Sequence, residues 1–224
     1  DMVYVLENNG VYGLTKGQYS ATAVKGSKKK KGPVNKQQPI DLCKLAINLG
    51  CTFVARSFSG SRKQLTALMR AAMSHKGFAF IDVISPCVTF NNNEESLQSY
   101  TYVKDNDVEL HAYDYIPHRL PIEEVDIPEG QFNDITLFDG SILRLETLGS
   151  DHDPNDAMAA LTALHTAEAE NKHVTGLLYF DPTQATAVEE QNLVQTPLSE
   201  VDDEIMRPSA ATLETLNARF RGKA

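Results

Sequence analysis

Met2-Val3-Tyr4-Val5-Leu6 leads, through Glu7, into Asn8-Asn9-Gly10-Val11-Tyr12-Gly13-Leu14-Thr15-Lys16-Gly17-Gln18. The first five residues form an apolar, β-rich run of strand length, so the second stretch begins where a strand ends. Two adjacent Asn, the glycines 10, 13 and 17, and a Thr-Lys pair describe a loop whose backbone turns sharply and can come close to a ligand. Amide oxygens and bare carbonyls are hard donors suited to Mg2+, which keeps diphosphate oxygens in its remaining positions. A metal-bound diphosphate is one reading of the loop. An ordinary strand-ending turn accounts for the same spacing.

Outward from the loop, residues 39–87 alternate regularly. Ile40, Leu42, Leu45, Ala46 and Leu49 trace the apolar side of a short helix opened by Asp41 and closed by Gly50. Cys51-Thr52-Phe53-Val54-Ala55 reads as a strand and Ser57-Phe58-Ser59-Gly60 as a turn. Leu65, Leu68, Met69, Ala72 and Met73 recur at helical spacing, and His75-Lys76-Gly77 ends that helix in keeping with its dipole. Phe78-Ala79-Phe80-Ile81-Asp82-Val83-Ile84 is nearly apolar throughout, as a central parallel strand is. The alternation predicts an α/β fold, a parallel sheet flanked by helices. Ligands in such sheets lie beyond the carboxyl ends of the strands. The loops 8–18, 56–60 and 85–93 should therefore leave one rim, with Cys87 on the same rim as Asn9.

Past residue 93 the alternation stops. Residues 96–107 are polar with interleaved Tyr and read as a surface segment; 114–130, rich in Pro and acids, read as an extended connection. Asp139-Gly140 between apolar runs is a hairpin signal. A helix over about 155–170 follows, with Asp153-Pro154 at its start and Met158, Leu161, Leu164 and His165 on one side; 175–180 is another strand. The tail from Asp181 is acidic, with few apolar anchors until an amphipathic piece at 210–220, and reads as an arm for a partner subunit or a partly disordered segment. Three regions result: 1–93, a β-rich and helical extension over 94–180, and an acidic arm over 181–224.

The 224 residues suffice for one substantial core, and a net charge of −9 argues against a nucleic-acid partner. No apolar run is long enough to cross a membrane and no signal peptide is visible. Three cysteines make no disulfide framework, which points to a reducing cytoplasm. Lys28-Lys29-Lys30-Lys31 reads as a solvated loop, with steering of anions the minority reading. Asp151-His152-Asp153 reads as a turn ahead of a helix rather than a ligand cluster, and Cys43 and Cys51 as packed hydrophobes.

The wording of two stretches is more specific than their composition. Asn8-Asn9-Gly10-Val11-Tyr12-Gly13-Leu14-Thr15-Lys16-Gly17-Gln18-Tyr19-Ser20 resembles the second half of the thiamine diphosphate motif in β subunits of 2-oxoacid:ferredoxin oxidoreductases, most of all the 2-oxoglutarate-using branch. Ile84-Ser85-Pro86-Cys87-Val88-Thr89-Phe90-Asn91 resembles a second signature of that family. The resemblance implies a thiamine diphosphate-binding fold, with residues 1–93 the C-terminal half of the binding domain. A family member would carry more chain ahead of Asp1, including a Gly-Asp-Gly element for Mg2+ and a Cys-x-x-Cys element for an iron–sulfur cluster. The sequence is therefore expected to be the C-terminal two-thirds of a subunit, unable to hold its cofactors alone.

By the same resemblance Asn9 would offer Mg2+ its side-chain oxygen and Val11 its backbone carbonyl. Tyr12 and Gly13 would shape the turn, Leu14 would lie near the thiazolium ring, and the Thr15 hydroxyl would be available to a diphosphate oxygen. Pyruvate-specific relatives tend to carry Gly where this chain has Lys16, and 2-oxoglutarate users carry Lys, so Lys16 would meet the distal carboxylate of the substrate. Cys87 would be the distant fourth ligand of a 4Fe-4S cluster. The implied partners are an α subunit, ferredoxin, coenzyme A and a 2-oxoacid, in a dimer of αβ heterodimers. Alternatives are a pyruvate-specific or broad 2-oxoacid:ferredoxin oxidoreductase, a non-redox thiamine diphosphate decarboxylase or synthase, and a non-catalytic binding subunit.

Overall fold

The computed structural model describes all residues except 28–32, 91, 93–96, 117–131, 137–141, 148–151, 171, 195 and 222–224. The run of four lysines, the Asp139-Gly140 turn, most of the 114–130 connection, Asn91 and Asp151 fall outside the described residues.

In chain order the elements are β1 (Met2–Asn8), β2 (Val11–Tyr12), β3 (Gln18–Tyr19), α1 (Leu42–Asn48), β4 (Phe53–Phe58), α2 (Arg62–Ser74) and β5 (Phe78–Ile84). Then come α3 (Tyr100–Asn106), β6 (Asp107–Glu109), β7 (His111–Ile116), β8 (Phe132–Thr136), β9 (Ile142–Thr147), α4 (Ala157–Ala169) and β10 (His173–Phe180). The last elements are α5 (Ala187–Glu190), a 3-10 turn at Leu198–Glu200, α6 (Asp203–Met206) and α7 (Ala210–Arg221). The chain forms two compact units, Asp1–Gln184 and Ala185–Ala224.

The first unit is built on a five-stranded sheet in the order β1-β5-β4-β10-β6. Strands β1, β5 and β4 run parallel, whereas β10 pairs antiparallel with β4 and parallel with β6. Side-chain alternation sorts the core into two layers. Phe53, Ala55, Ile81, Val83, Leu177 and Phe180 meet Ala67, Leu68, Ala71 and Ala72 of α2 on one face. On the other, Val54, Phe80, Val174 and Leu178 meet Cys43, Ala46 and Ile47 of α1 and Ala160, Leu164 and Ala167 of α4. Because β10 sits inside the sheet, adjacent Leu177 and Leu178 serve opposite layers. Strand β1 is one edge, with Met2 58% and Tyr4 49% exposed, although Tyr4 stacks on Phe80.

Several expectations shift by a few residues. Strand β4 continues through Arg56-Ser57-Phe58, read above as loop and turn, because partners described below neutralise the guanidinium. The buried stripe of α2 is Gln64, Ala67, Leu68, Ala71 and Ala72, leaving Met73 outward at 69% exposure. Leu45 and Leu49 are likewise outside the stripe of α1. Helix α4 is capped by Asp156, whose Oδ1 accepts from the Met158 and Ala159 N–H groups, rather than starting at Asp153-Pro154. Residues 98–106 are not a bare surface segment, since Gln98, Ser99 and Val103 are buried and Ser99 caps α3. Strands β8 and β9 pair antiparallel on either side of the predicted turn, and β7 completes a three-stranded sheet on the other flank of β9.

In the second unit Thr186 and Glu189 form a reciprocal capping box at α5. Helix α7 matches the amphipathic piece expected at 210–220 and has an Arg221–Glu214 ion pair at 2.9 Å. Among the described residues no helix is long and apolar enough to cross a membrane.

One buried histidine gives the first unit a pH signature. His75 is 3% exposed, its Nε2 lies 2.7 Å from Thr52 Oγ1, and burial lowers its pKa from 6.5 to about 4. Between those values the unfolded chain takes up a proton that the folded chain refuses, so this contribution is whole above pH 6.5 and is lost as pH falls towards 4. Asp107 acts oppositely: burial raises its carboxyl to about 6, so its protonation favours the fold at low pH. The two are separated by comparing wild type with His75→Gln in urea melts at pH 7 and pH 5. The expected result is about 2 kcal/mol more loss in wild type; equal losses would remove His75 as the cause.

Candidate functional site

The rim at the carboxyl ends of β1, β5 and β4 is set by register. Asn8 pairs with Ile84, and Ile84 with Phe58, so three strands end at one level. The Ser85 N–H donates to the Asn8 carbonyl at 2.9 Å and the Ser59 N–H to the Ile84 carbonyl at 2.9 Å. The loops that follow therefore leave side by side, and the one carrying Asn9 starts next to the one carrying Cys87.

The first loop is a short hairpin. Val11 pairs with Tyr19 and Tyr12 with Gln18, while the Ser20 N–H reaches back to the Gly10 carbonyl at 3.2 Å. Asn9 Oδ1 accepts from the Val11 N–H at 3.0 Å, a turn closed by the side chain, and Gly10 supplies a φ of +70°. At the tip the Lys16 N–H donates to the Gly13 carbonyl and the Gly17 N–H to the Tyr12 carbonyl. The Thr15 hydroxyl lies 2.5 Å from Gln18 Oε1. Leu14 is fully exposed, and Tyr12 and Lys16 are exposed as well.

Two tip positions carry backbone constraints. Gly17 has a φ of +84°, and a Cβ there would stand 2.9 Å from Phe90 Cδ1, so the tip abuts the Cys87 loop. Lys16 has a φ of +72°, in the left-handed region that glycine prefers, and its ammonium makes no ion pair with a described residue. Cys87 is half-buried, with its carbonyl accepting from the Phe90 N–H at 3.2 Å, and all three cysteines are free.

Beneath the rim lies a cavity of about 430 Å3 with Asn8, Thr22, Arg56, Asp82, Gln98 and His173 in its walls. Arg56 is its electrostatic hub: Nε donates to Asp82 Oδ2 at 2.9 Å and Nη2 to Asp41 Oδ1 at 2.8 Å. Burial alone would raise the Asp41 carboxyl, but Arg56 and the Lys44 N–H hold it below its ordinary value. Burial pushes the neighbouring Cys43 thiol well up, which makes it an inert packing group. Burial likewise lowers His173, whose Nε2 lies 2.8 Å from the Leu97 carbonyl.

The expected residues thus fall into two adjoining loops, Asn9, Val11, Tyr12, Gly13, Leu14, Thr15 and Lys16 on one and Cys87 on the other. The Asn9 amide oxygen and the Val11 carbonyl fit Mg2+ in kind, but the described residues contain no group of three His, Cys, Asp or Glu able to hold a metal ion. His152 stands outside the rim with Nε2 2.8 Å from the Leu178 carbonyl, consistent with a turn rather than a ligand. Sequence reasoning missed Arg56. A lone base and a lone acid on two otherwise buried strands were the available signal, and Arg56 and Asp82 are direct register partners.

Residues 1–83 match the family described as thiamine pyrophosphate enzyme, C-terminal TPP binding domain. The chain is 48% identical over 93 residues to the 2-oxoacid:ferredoxin oxidoreductase subunit beta of Sulfolobus sp, which covers 41% of this chain and 30% of that protein. It is 36% identical over 115 residues to the 2-oxoglutarate synthase subunit KorB of Methanocaldococcus jannaschii, covering 49% and 43% respectively. The chain spans less than half the length of these relatives. Among solved structures it resembles the 2-oxoglutarate:ferredoxin oxidoreductase from Magnetococcus marinus with 2-oxoglutarate, coenzyme A and succinyl-CoA bound, at a TM-score of 0.60 and 28% identity over 85% of this chain and 50% of that one. Residues 1–83 thus match a thiamine pyrophosphate-binding domain, and over part of its length the chain is similar to the β subunits of 2-oxoacid:ferredoxin oxidoreductases.

Proposed function

We propose that the chain serves in the β subunit of a 2-oxoglutarate:ferredoxin oxidoreductase, which converts a 2-oxoacid and coenzyme A to an acyl-CoA and CO2, or runs the reverse. The observation that carries this reading is the adjacency of the two loops, with the Ser85 N–H on the Asn8 carbonyl and Gly17 against Phe90. Thiamine diphosphate would supply the carbon that attacks the 2-oxo group and the electron sink for decarboxylation, with a 4Fe-4S cluster taking the electrons on towards ferredoxin.

This chain's own contribution is to bind and orient. Asn9 Oδ1 and the Val11 carbonyl would hold Mg2+, and the Thr15 hydroxyl would turn from Gln18 to a diphosphate oxygen. Leu14 would offer an apolar surface to the thiazolium ring. That side chain is bare in this chain, which suits burial against an α subunit. Lys16 would pair with the distal carboxylate of 2-oxoglutarate, and Cys87 would ligate the cluster, with the remaining Mg2+ and cluster ligands coming from outside this chain. A dimer of αβ heterodimers and a cytoplasmic setting complete the proposal; three free cysteines accord with the latter.

The test uses the intact enzyme. Purified complex should show the broad visible absorbance of an iron–sulfur cluster and reduce a viologen dye only with 2-oxoglutarate and coenzyme A together. Cys87→Ser should weaken or abolish the cluster absorbance. A colourless, active decarboxylase would favour the non-redox class, and an unchanged cluster in Cys87→Ser would dismiss that ligand.

A further inference from the structure

Apart from Gly17, which abuts Phe90, the tip of the Asn9 loop has little packing to hold it. Tyr12, Leu14, Thr15 and Lys16 are exposed, and the bonds at its tip span only a few residues. What ties it to the sheet is its base. Asn8, the last residue of β1, is 8% exposed, and its Oδ1 accepts the Thr22 hydroxyl at 2.7 Å from the far end of the loop. Thr22 is in turn held: its hydroxyl lies 2.8 Å from Ser20 Oγ, its N–H donates to that same oxygen at 3.2 Å, and its carbonyl accepts from Gln98 Nε2 at 3.4 Å. The Asn8 carbonyl meanwhile accepts from the Ser85 N–H at the start of the Cys87 loop.

Asn8 is therefore the joint at which the entry of one loop, its exit and the neighbouring loop meet. We propose that the Asn8–Thr22 side-chain hydrogen bond is the clamp that positions Asn9 and Val11, so that Thr22 governs affinity for Mg2+–thiamine diphosphate without touching it. The inference rests on the functional reading above. It assigns Asn8 and Thr22 positioning roles, whereas Asn9 and Val11 touch the metal. Removing the hydroxyl would also leave the buried Asn8 oxygen without that donor, which adds to the loss.

Thr22→Ser and Thr22→Ala both lose the γ-methyl group and differ only in the hydroxyl, so the pair separates clamp from packing. Apo-enzyme of each, as the full complex, is titrated calorimetrically with thiamine diphosphate in saturating Mg2+, beside Asn9→Ala. Thr22→Ala should bind about tenfold more weakly than Thr22→Ser, while KM for 2-oxoglutarate at saturating cofactor stays close to wild type in both. A purely structural role would instead lower the melting temperature and degrade every parameter together, which overturns the proposal. Equal cofactor affinity in the Ser and Ala variants, with binding lost in Asn9→Ala, overturns the clamp and leaves the site standing. Unchanged binding in Asn9→Ala overturns the site itself.

Discussion

Arg56→Ala is expected to destabilise the α/β unit by about 3–5 kcal/mol, a large part of the margin of an ordinary domain. The loss comes from what stays behind. Asp82 is 1% exposed, its Oδ2 takes the Arg56 Nε, and its Oδ1 has no hydrogen-bond partner among the described residues, so the variant would bury a carboxylate with almost no compensation. The Asp41 oxygen that caps α1 at the Lys44 N–H would lose its guanidinium partner too. Urea unfolding at neutral pH measures the effect. The double variant Arg56→Met, Asp82→Leu should recover much of it, because apolar groups of similar size replace a buried pair at little cost. A single variant as stable as wild type would mean that the pair is solvated after all.

Lys16→Gly is expected to lower turnover of 2-oxoglutarate by about ten- to a hundredfold relative to pyruvate, the effect of removing one charge-assisted contact. Its stability should hold or rise, since a non-glycine residue in the left-handed region carries a strain of about 1 kcal/mol that glycine relieves. Here the structure adds to the sequence argument: φ at Lys16 is +72°, where glycine would be the default residue. A side chain kept at such a position points to a use for its ammonium. The ammonium is exposed in this chain, so the full effect requires that a partner cover it. The check is kcat/KM for both 2-oxoacids together with a melting temperature. Equal loss on both substrates refutes the assignment, and the melt excludes misfolding as the reason.

The sheet up to Ile84 was legible because its buried strands are nearly continuous apolar runs, which fix where strands end and hence which rim the loops share. Charge pairing was not. Arg56 looks like a loop residue until the register sets Asp82 beside it, and register is invisible in one sequence. Residues 98–106 look like solvent-facing chain because Gln98 and Ser99 are buried while keeping polar partners rather than by being apolar. Apolar spacing alone also put Met73 on the wrong side of α2. At the loop, the wording points to Asn9 as a candidate ligand, but the Asn8–Thr22 hydrogen bond is not in the wording, because the return of Thr22 to the base of the loop is a fact of tertiary structure.

The place of β10 has a consequence for biosynthesis. On the ribosome β1, β4 and β5 emerge long before His173, so the flank of β4 that β10 will occupy stands open while everything between them is translated. Both hydrophobic layers await Leu177 and Leu178 during that interval. The nascent intermediate is thus a sheet whose β4 margin, later covered, stays open as well as its β1 edge, a state that favours self-association until Phe180 clears the exit tunnel.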